Sequence, residues 1–255
     1  MAASFAVQLA VLFAAPVAAA EVRLIAADTA FGCGAERHVA PASKPATDGL
    51  LCEIVHELAR RAGHARPIEI YPLQRALMLA ETGAGVLAVV GRTPERERRH
   101  VWQVQLLEEE IVAVTRREAE FDIDTPAALR VLKVGIVRQG LAASLATEQG
   151  LPDVSPVSRD ETNARKLAVG RIDAWVGPWN AILTAQRAAG LPVDGLRRGV
   201  VLRRVPVYLA SSPNFDAAVA RVWSKAFETM VVDGTYDRLL LQYRFERPAP
   251  AGKHP

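Results

Sequence analysis

The residues best placed to do chemistry lie between Val89 and Arg99, in the run VVGRTPERERR. Residues 86 to 90 (VLAVV) are a short unbroken apolar stretch, which suits a strand covered on both faces, and Gly91 ends it. Arg92 to Arg96 then read as a turn opening a helix, with Thr93 as its cap and Pro94 pre-set for the first helical position. Arg96 falls in that first turn, close to the carboxyl end of the strand. A guanidinium held there, beside backbone N–H groups that still lack partners, can take a carboxylate in a two-bond fork. Arg92, Arg98 and Arg99 read as a solvated helix face, the usual fate of a charge run.

The same run carries a resemblance. A strand, a small residue and T-P-E-R at Thr93–Arg96, downstream of a G-x-x-x-[DE] helix start at Gly49–Glu53, resemble the type II periplasmic solute-binding proteins of polar amino acid ABC transporters, extracellular solute-binding protein family 3. The resemblance covers almost all of the chain after residue 20. It implies an α/β, two-lobed periplasmic-binding-protein-like fold of mainly parallel sheets flanked by helices. Lobe 1 would be discontinuous (21–110 and 206–247), lobe 2 would span 111–205, the hinge would be two strands, and 248–255 would be a disordered tail. In that family the arginine of T-x-x-R grips the ligand's α-carboxylate, and Arg96 falls on it, just after Gly91. The loop after the first strand supplies an aromatic, here Phe31, and also carries Asp28; Phe31 has an equal claim to be core. Tyr71–Leu77 (YPLQRAL) resembles a further family element and leaves Arg75 as a second anion contact.

On the other lobe, the junction at Val134–Gly140 resembles a strand-then-glycine motif whose following N–H groups meet the carboxylate, which singles out Gly140 and Leu141. Leu141 stands where threonine or serine is usual, so a hydroxyl contact is lost. Gly170–Pro178 resembles G-R-x-D-A-V-x-x-D, whose last aspartate holds the ligand's α-ammonium; here that position is Pro178. Trp179 follows it, as a stacking surface or, with Trp175, as core. The resemblance therefore implies a small carboxylate-bearing ligand, a membrane-embedded ABC permease as partner, no cofactor and no catalysis. Two rivals stay open. An enzyme on the same scaffold, resembling a cyclohexadienyl dehydratase, would need a cleft acid or base, for which Asp28 and Glu53 are the visible candidates. A sensing module for a membrane receptor is the other.

Those side chains need elements to position them. Residues 1–20 carry no charged side chain and finish in Ala18-Ala19-Ala20, as a cleaved secretory signal does, although the basic start typical of such signals is missing. A membrane anchor is the weaker alternative, since the stretch is barely long enough to span. A periplasmic monomer is the expectation. Removing these 20 of 255 residues leaves 235, enough for two cores. The net charge of +3 is mild and the basic residues are not interleaved with aromatics, so nucleic acid is not expected as a partner. The two cysteines, Cys33 and Cys52, form one disulfide by default in an oxidising compartment. A metal site using Cys52 with His56 and Cys33 with His38 is the sharper but weaker alternative, lacking the usual ligand spacing.

Periodicity places a strand at 22–26, a loop to Asp48, a helix at 49–62 with Leu51, Val55, Leu58 and Ala62 on one face, a strand around Ile68 and Ile70, and a helix at 73–82. Later come strands at 110–115, 131–137 and 200–210, and helices at 141–149, 160–169, 214–232 and on to Tyr243. Strand alternates with helix, so parallel pairing is expected, with ligands beyond the strands' carboxyl ends. Gly83–Ala88 matches G-x-G-x-x-A, but it ends a helix and opens a strand, the reverse of a dinucleotide site.

Overall fold

The computed structural model describes residues 22–27, 50–138 and 140–248. The expected signal, Asp28, Phe31, Cys33, His38 and all but the first residue of the expected tail lie outside the described residues. The chain runs β1 (Arg23–Ala27), α1 (Leu50–Arg61), β2 (Glu69–Tyr71), α2 (Leu73–Thr82), β3 (Val86–Gly91) and β4 (Val101–Arg116). It continues through β5 (Val134–Val137), α3 (Leu141–Glu148), β6 (Val154–Val157), α4 (Asp160–Ala168), β7 (Ala174–Pro178) and α5 (Trp179–Ala188). It closes with β8 (Leu196–Ser211), α6 (Ala217–Val232) and α7 (Thr235–Gln242).

The eight strands of the described residues form one sheet in the order β2-β1-β3-β8-β4-β7-β5-β6. Within it, β1 pairs in parallel with β2 and β3, and β5 with β6 and β7. These two strand–helix units are joined by antiparallel pairings of β3 with β8, β8 with β4, and β4 with β7. The parallel units match the alternation of strand and helix; their fusion into one continuous sheet is a finding of the structure.

β4 and β8, of 16 residues each, run the length of that junction. The sequence announces only their apolar halves. Residues 101–110 mix polar with apolar side chains and end in the acidic triplet Glu108–Glu110. They form strand because β8 pairs with them from Val101 to Glu110, and it brings cations to the last of them: Arg204 Nε lies 3.0 Å from Glu110 Oε1, and Arg198 reaches Glu110 Oε2. β6 also went unread, since it contains Pro156; as the last strand in the order it is an edge, where proline is tolerated.

Among the described residues the buried side chains form four clusters, two on each half of the sheet. Leu106, Leu107, Val207 and Leu209 pack with α1, α6 and α7, while the opposite face of β1 and β3 packs on α2. Ile111, Ala113 and Val205 pack with α3, and Val112, Val114 and Trp175 with α4 and α5. The packing thus changes partners between Leu107 and Ile111 on β4 and between Val205 and Val207 on β8. α1 shows why helices dock as they do: Leu51, Ile54, Val55 and Leu58 are buried on one stripe, each contributing about 1.5–3 kcal/mol by transfer from water. Cys52 shares that buried face, and no free cysteine occurs among the described residues.

Candidate ligand-binding site

β3 delivers its last residue, Gly91, to the sheet's junction, where Gly91 pairs with Val207 of β8. The next residues do not open a helix as expected. Pro94–Arg96 form a single 3-10 turn, closed by the Arg96 N–H donating to the Thr93 carbonyl at 3.0 Å. Too few residues separate this turn from β4 for a helix to propagate. Thr93 makes no side-chain cap and is instead buried.

The turn folds the Arg96 side chain back over the strand end. Its Nη1 donates to the Gly91 carbonyl at 3.0 Å, and a Cβ on Gly91 would lie 3.8 Å from that nitrogen and 3.0 Å from Val205 Cγ1. Gly91 is therefore a close-approach glycine. Val205 belongs to the cluster that α3 covers, so Arg96 lies at the point where the two halves of the sheet meet. Desolvation pulls the Arg96 pKa below the usual arginine value, against a smaller opposing effect of Glu95. Among the described residues it forms no ion pair. Its neighbour Arg92 differs: it is salt-bridged to Glu97 at 2.5 Å and lies 5.5 Å from both the Trp102 and Tyr208 rings.

Gly140 opens α3 with φ +105° and ψ −171°, a conformation that side-chain-bearing residues rarely adopt. Leu141, the first residue of α3, packs partly buried against the cluster that holds Val205. The N–H groups at that helix start are donors for an anion, with no hydroxyl from Leu141.

The remaining candidates lie elsewhere. Arg75 is exposed, its guanidinium 4.7 Å from the Tyr71 ring. Trp179 opens α5 and packs with the α4/α5 cluster rather than with that of α3. Its Nε1 donates to Glu246 Oε2 at 2.6 Å, and Arg198 lies 4.8 Å from its ring. Pro178 ends β7 opposite Ile111. Of the acids that could replace its missing carboxylate, Asp173 accepts the Lys133 N–H at 2.8 Å.

Two residues of the junction had no motif to announce them. Glu109 is buried, and burial pushes its carboxyl pKa up to about 7, although Asn180 donates to it. Arg203, on β8, holds Glu148 of α3 at 2.7 Å. A charged residue inside a strand facing a buried junction is the only sequence signal either gives. No group of three or more His, Cys, Asp and Glu able to hold a metal occurs among the described residues, and none of their helices is long and apolar enough to cross a membrane.

No known family profile matches the chain, and no curated protein does. Solved structures do. A histidine kinase sensor domain with similarity to periplasmic binding proteins superposes with TM-score 0.70 at 16% identity, over 89% of this chain and 98% of that one. An ABC uptake transporter substrate binding protein from Streptococcus pneumoniae, with bound histidine, gives 0.66 at 14% over 91% and 95%. The ancestral amino acid-binding protein AncCDT-1, a precursor of cyclohexadienyl dehydratase, gives 0.63 at 17% over 88% and 95%. The chain thus has the type II periplasmic-binding-protein-like fold that its motifs implied. These three similar proteins are a sensor domain, a transporter component and the precursor of an enzyme, so function has to be argued from the site.

Proposed function

We propose that this chain is an extracytoplasmic solute-binding protein that takes a small carboxylate-bearing ligand between two lobes and hands it to an ABC permease. The observation that carries the reading is Arg96: a partly desolvated guanidinium, fixed by one bond to Gly91 and without an ion pair among the described residues. A buried cation without an anion is costly, so a site that keeps one is built for an anion from outside. The lobes would be 21–110 with 206–247, and 111–205; the change of packing partners along β4 and β8 supports that division. Contacts from Arg96 on one side and the α3 N–H groups on the other favour the closed form, a population shift that needs no catalysis. Asp28 and Phe31 would complete the site from the loop after β1, with Arg75 and Trp179 at its margins.

The ligand we infer lacks a free α-ammonium, because Pro178 offers neither charge nor acceptor side chain and Asp173 is engaged. Organic acids, acylated amino acids and aromatic carboxylates should outrank the twenty standard amino acids. Secretion by a cleaved signal at 1–20, a periplasmic location and a Cys33–Cys52 disulfide belong to the same proposal. The test is a thermal-shift screen of small acids and amino acids, followed by calorimetry on Arg96→Ala. Loss of binding by about 2–5 kcal/mol with an unchanged fold is expected; near-normal affinity overturns the reading.

A further inference from the structure

The segment after α7 crosses from one half of the molecule to the other. Phe245 packs on the cluster of α1, α6 and α7, while the next residue, Glu246, is held by α5. Trp179 takes its side chain, and Asn180 holds its backbone. The Asn180 Oδ1 accepts the Glu246 N–H at 2.8 Å, and its Nδ2 donates to the Glu246 carbonyl at 3.1 Å, as a neighbouring strand would. The same Nδ2 donates to Glu109 Oε1 and Oε2 at 3.1 and 3.2 Å, and the Asn180 backbone N–H donates to Oε1 at 3.2 Å. Glu109 sits on β4 between Leu107 and Ile111, where the packing changes partners.

We propose that Asn180 is a clamp: it ties the C-terminal segment to the β4 crossing through the buried carboxylate of Glu109, adding a third, noncovalent connection between the two halves beside β4 and β8. This positioning role goes beyond the ligand reading and stands whether or not Arg96 binds a carboxylate. The clamp responds to a proton. An ionised Glu109 accepts every bond Asn180 offers, whereas a protonated one brings a donor that the Asn180 amide nitrogens cannot accept. The other charges facing it are fixed: Glu110 next to it is covered by Arg198 and Arg204 of β8, and the Glu246 carboxylate accepts from Trp179. Burial brings the Glu109 transition near neutrality.

Residue-resolved amide exchange on the full chain tests the clamp, with rates corrected for intrinsic pH dependence. In Asn180→Ala at pH 8 the Glu246 amide should lose at least tenfold protection while amides of α1 and α4 keep theirs. Unchanged protection at Glu246, or a loss spread evenly over the chain, overturns the clamp. In the unmodified protein Glu246 protection should fall between pH 8 and pH 6, and in Glu109→Gln it should be flat; the same pH dependence in both overturns the role of Glu109. Should Asn180→Ala not fold, the Glu109→Gln comparison decides alone. The carboxyl resonance of Glu109 gives an independent reading, since losing Asn180 as a donor should raise its midpoint.

Discussion

Arg96 is partly desolvated and has no carboxylate to lean on among the described residues, unlike the arginines that sit on acids of the chain. Arg23 sits on Glu69, Arg92 on Glu97 and Arg203 on Glu148, so each already has its anion within the chain. The partner proposed for Arg96 is a ligand held in a fork. Arg96→Lys should leave the melting temperature unchanged and still bind poorly, because an ammonium cannot reproduce two parallel bonds; calorimetry beside Arg96→Ala checks it. Buried acids make a second statement at this scale. Glu109 titrates near 7 in the fold and from about 4.5 when unfolded, so its contribution to stability is full below 4.5 and lost as pH rises through 7, about 3 kcal/mol in all. Asp160, raised to about 6 by burial beside Glu161, acts with the same sign. His64 and His100, lowered by desolvation, oppose it with smaller shifts as pH falls through 6.5. Glu57 and Glu69, lowered to about 2 by arginine, add stability above about 4.5 that is lost towards pH 2. Chemical denaturation should therefore find maximal stability near pH 5 and less at pH 8; a curve rising from pH 5 to pH 8 would contradict the burial of Glu109.

At the scale of elements, what the sequence could announce was what local rules govern. α1, α2, α4 and β3 were legible because their apolar stripes need no knowledge of neighbours. The polar half of β4 was not, because its strand partner is β8, which also supplies the two arginines that cover Glu110, and that pairing joins residues about a hundred positions apart. The Pro94–Arg96 turn shows the complementary limit: Pro94 does stand at its start, but Thr93 makes no side-chain cap and β4 begins too soon after it for a helix. The glycine motifs were the most legible part of the site, since Gly91 and Gly140 mark constraints on the backbone itself. Gly140→Ala should cost about 1–3 kcal/mol, through strain at φ +105° rather than through a clash, as nothing lies within 4 Å of the added carbon. A denaturation midpoint equal to that of the unmodified chain would show that α3 tolerates another start.

For the molecule as a whole, two lobes closing on a ligand should give a smaller radius of gyration at saturation than without ligand; an unchanged value in solution scattering would favour a rigid scaffold, as an enzyme or sensor could be. If the proposed export takes place, the protein should resist alkylation at Cys33 and Cys52 until reduced, and two modified thiols in the intact mass would defeat the disulfide. The strand order carries one more consequence, which concerns time. β8 lies between β3 and β4, although it is the last strand made, so the first half of the sheet cannot be finished when its own residues emerge. β3 must wait more than a hundred residues for its partner, exposing an apolar edge meanwhile. Such long-range closure folds slowly and suits a chain that is kept unfolded until it is complete, as one threaded across a membrane before folding would be.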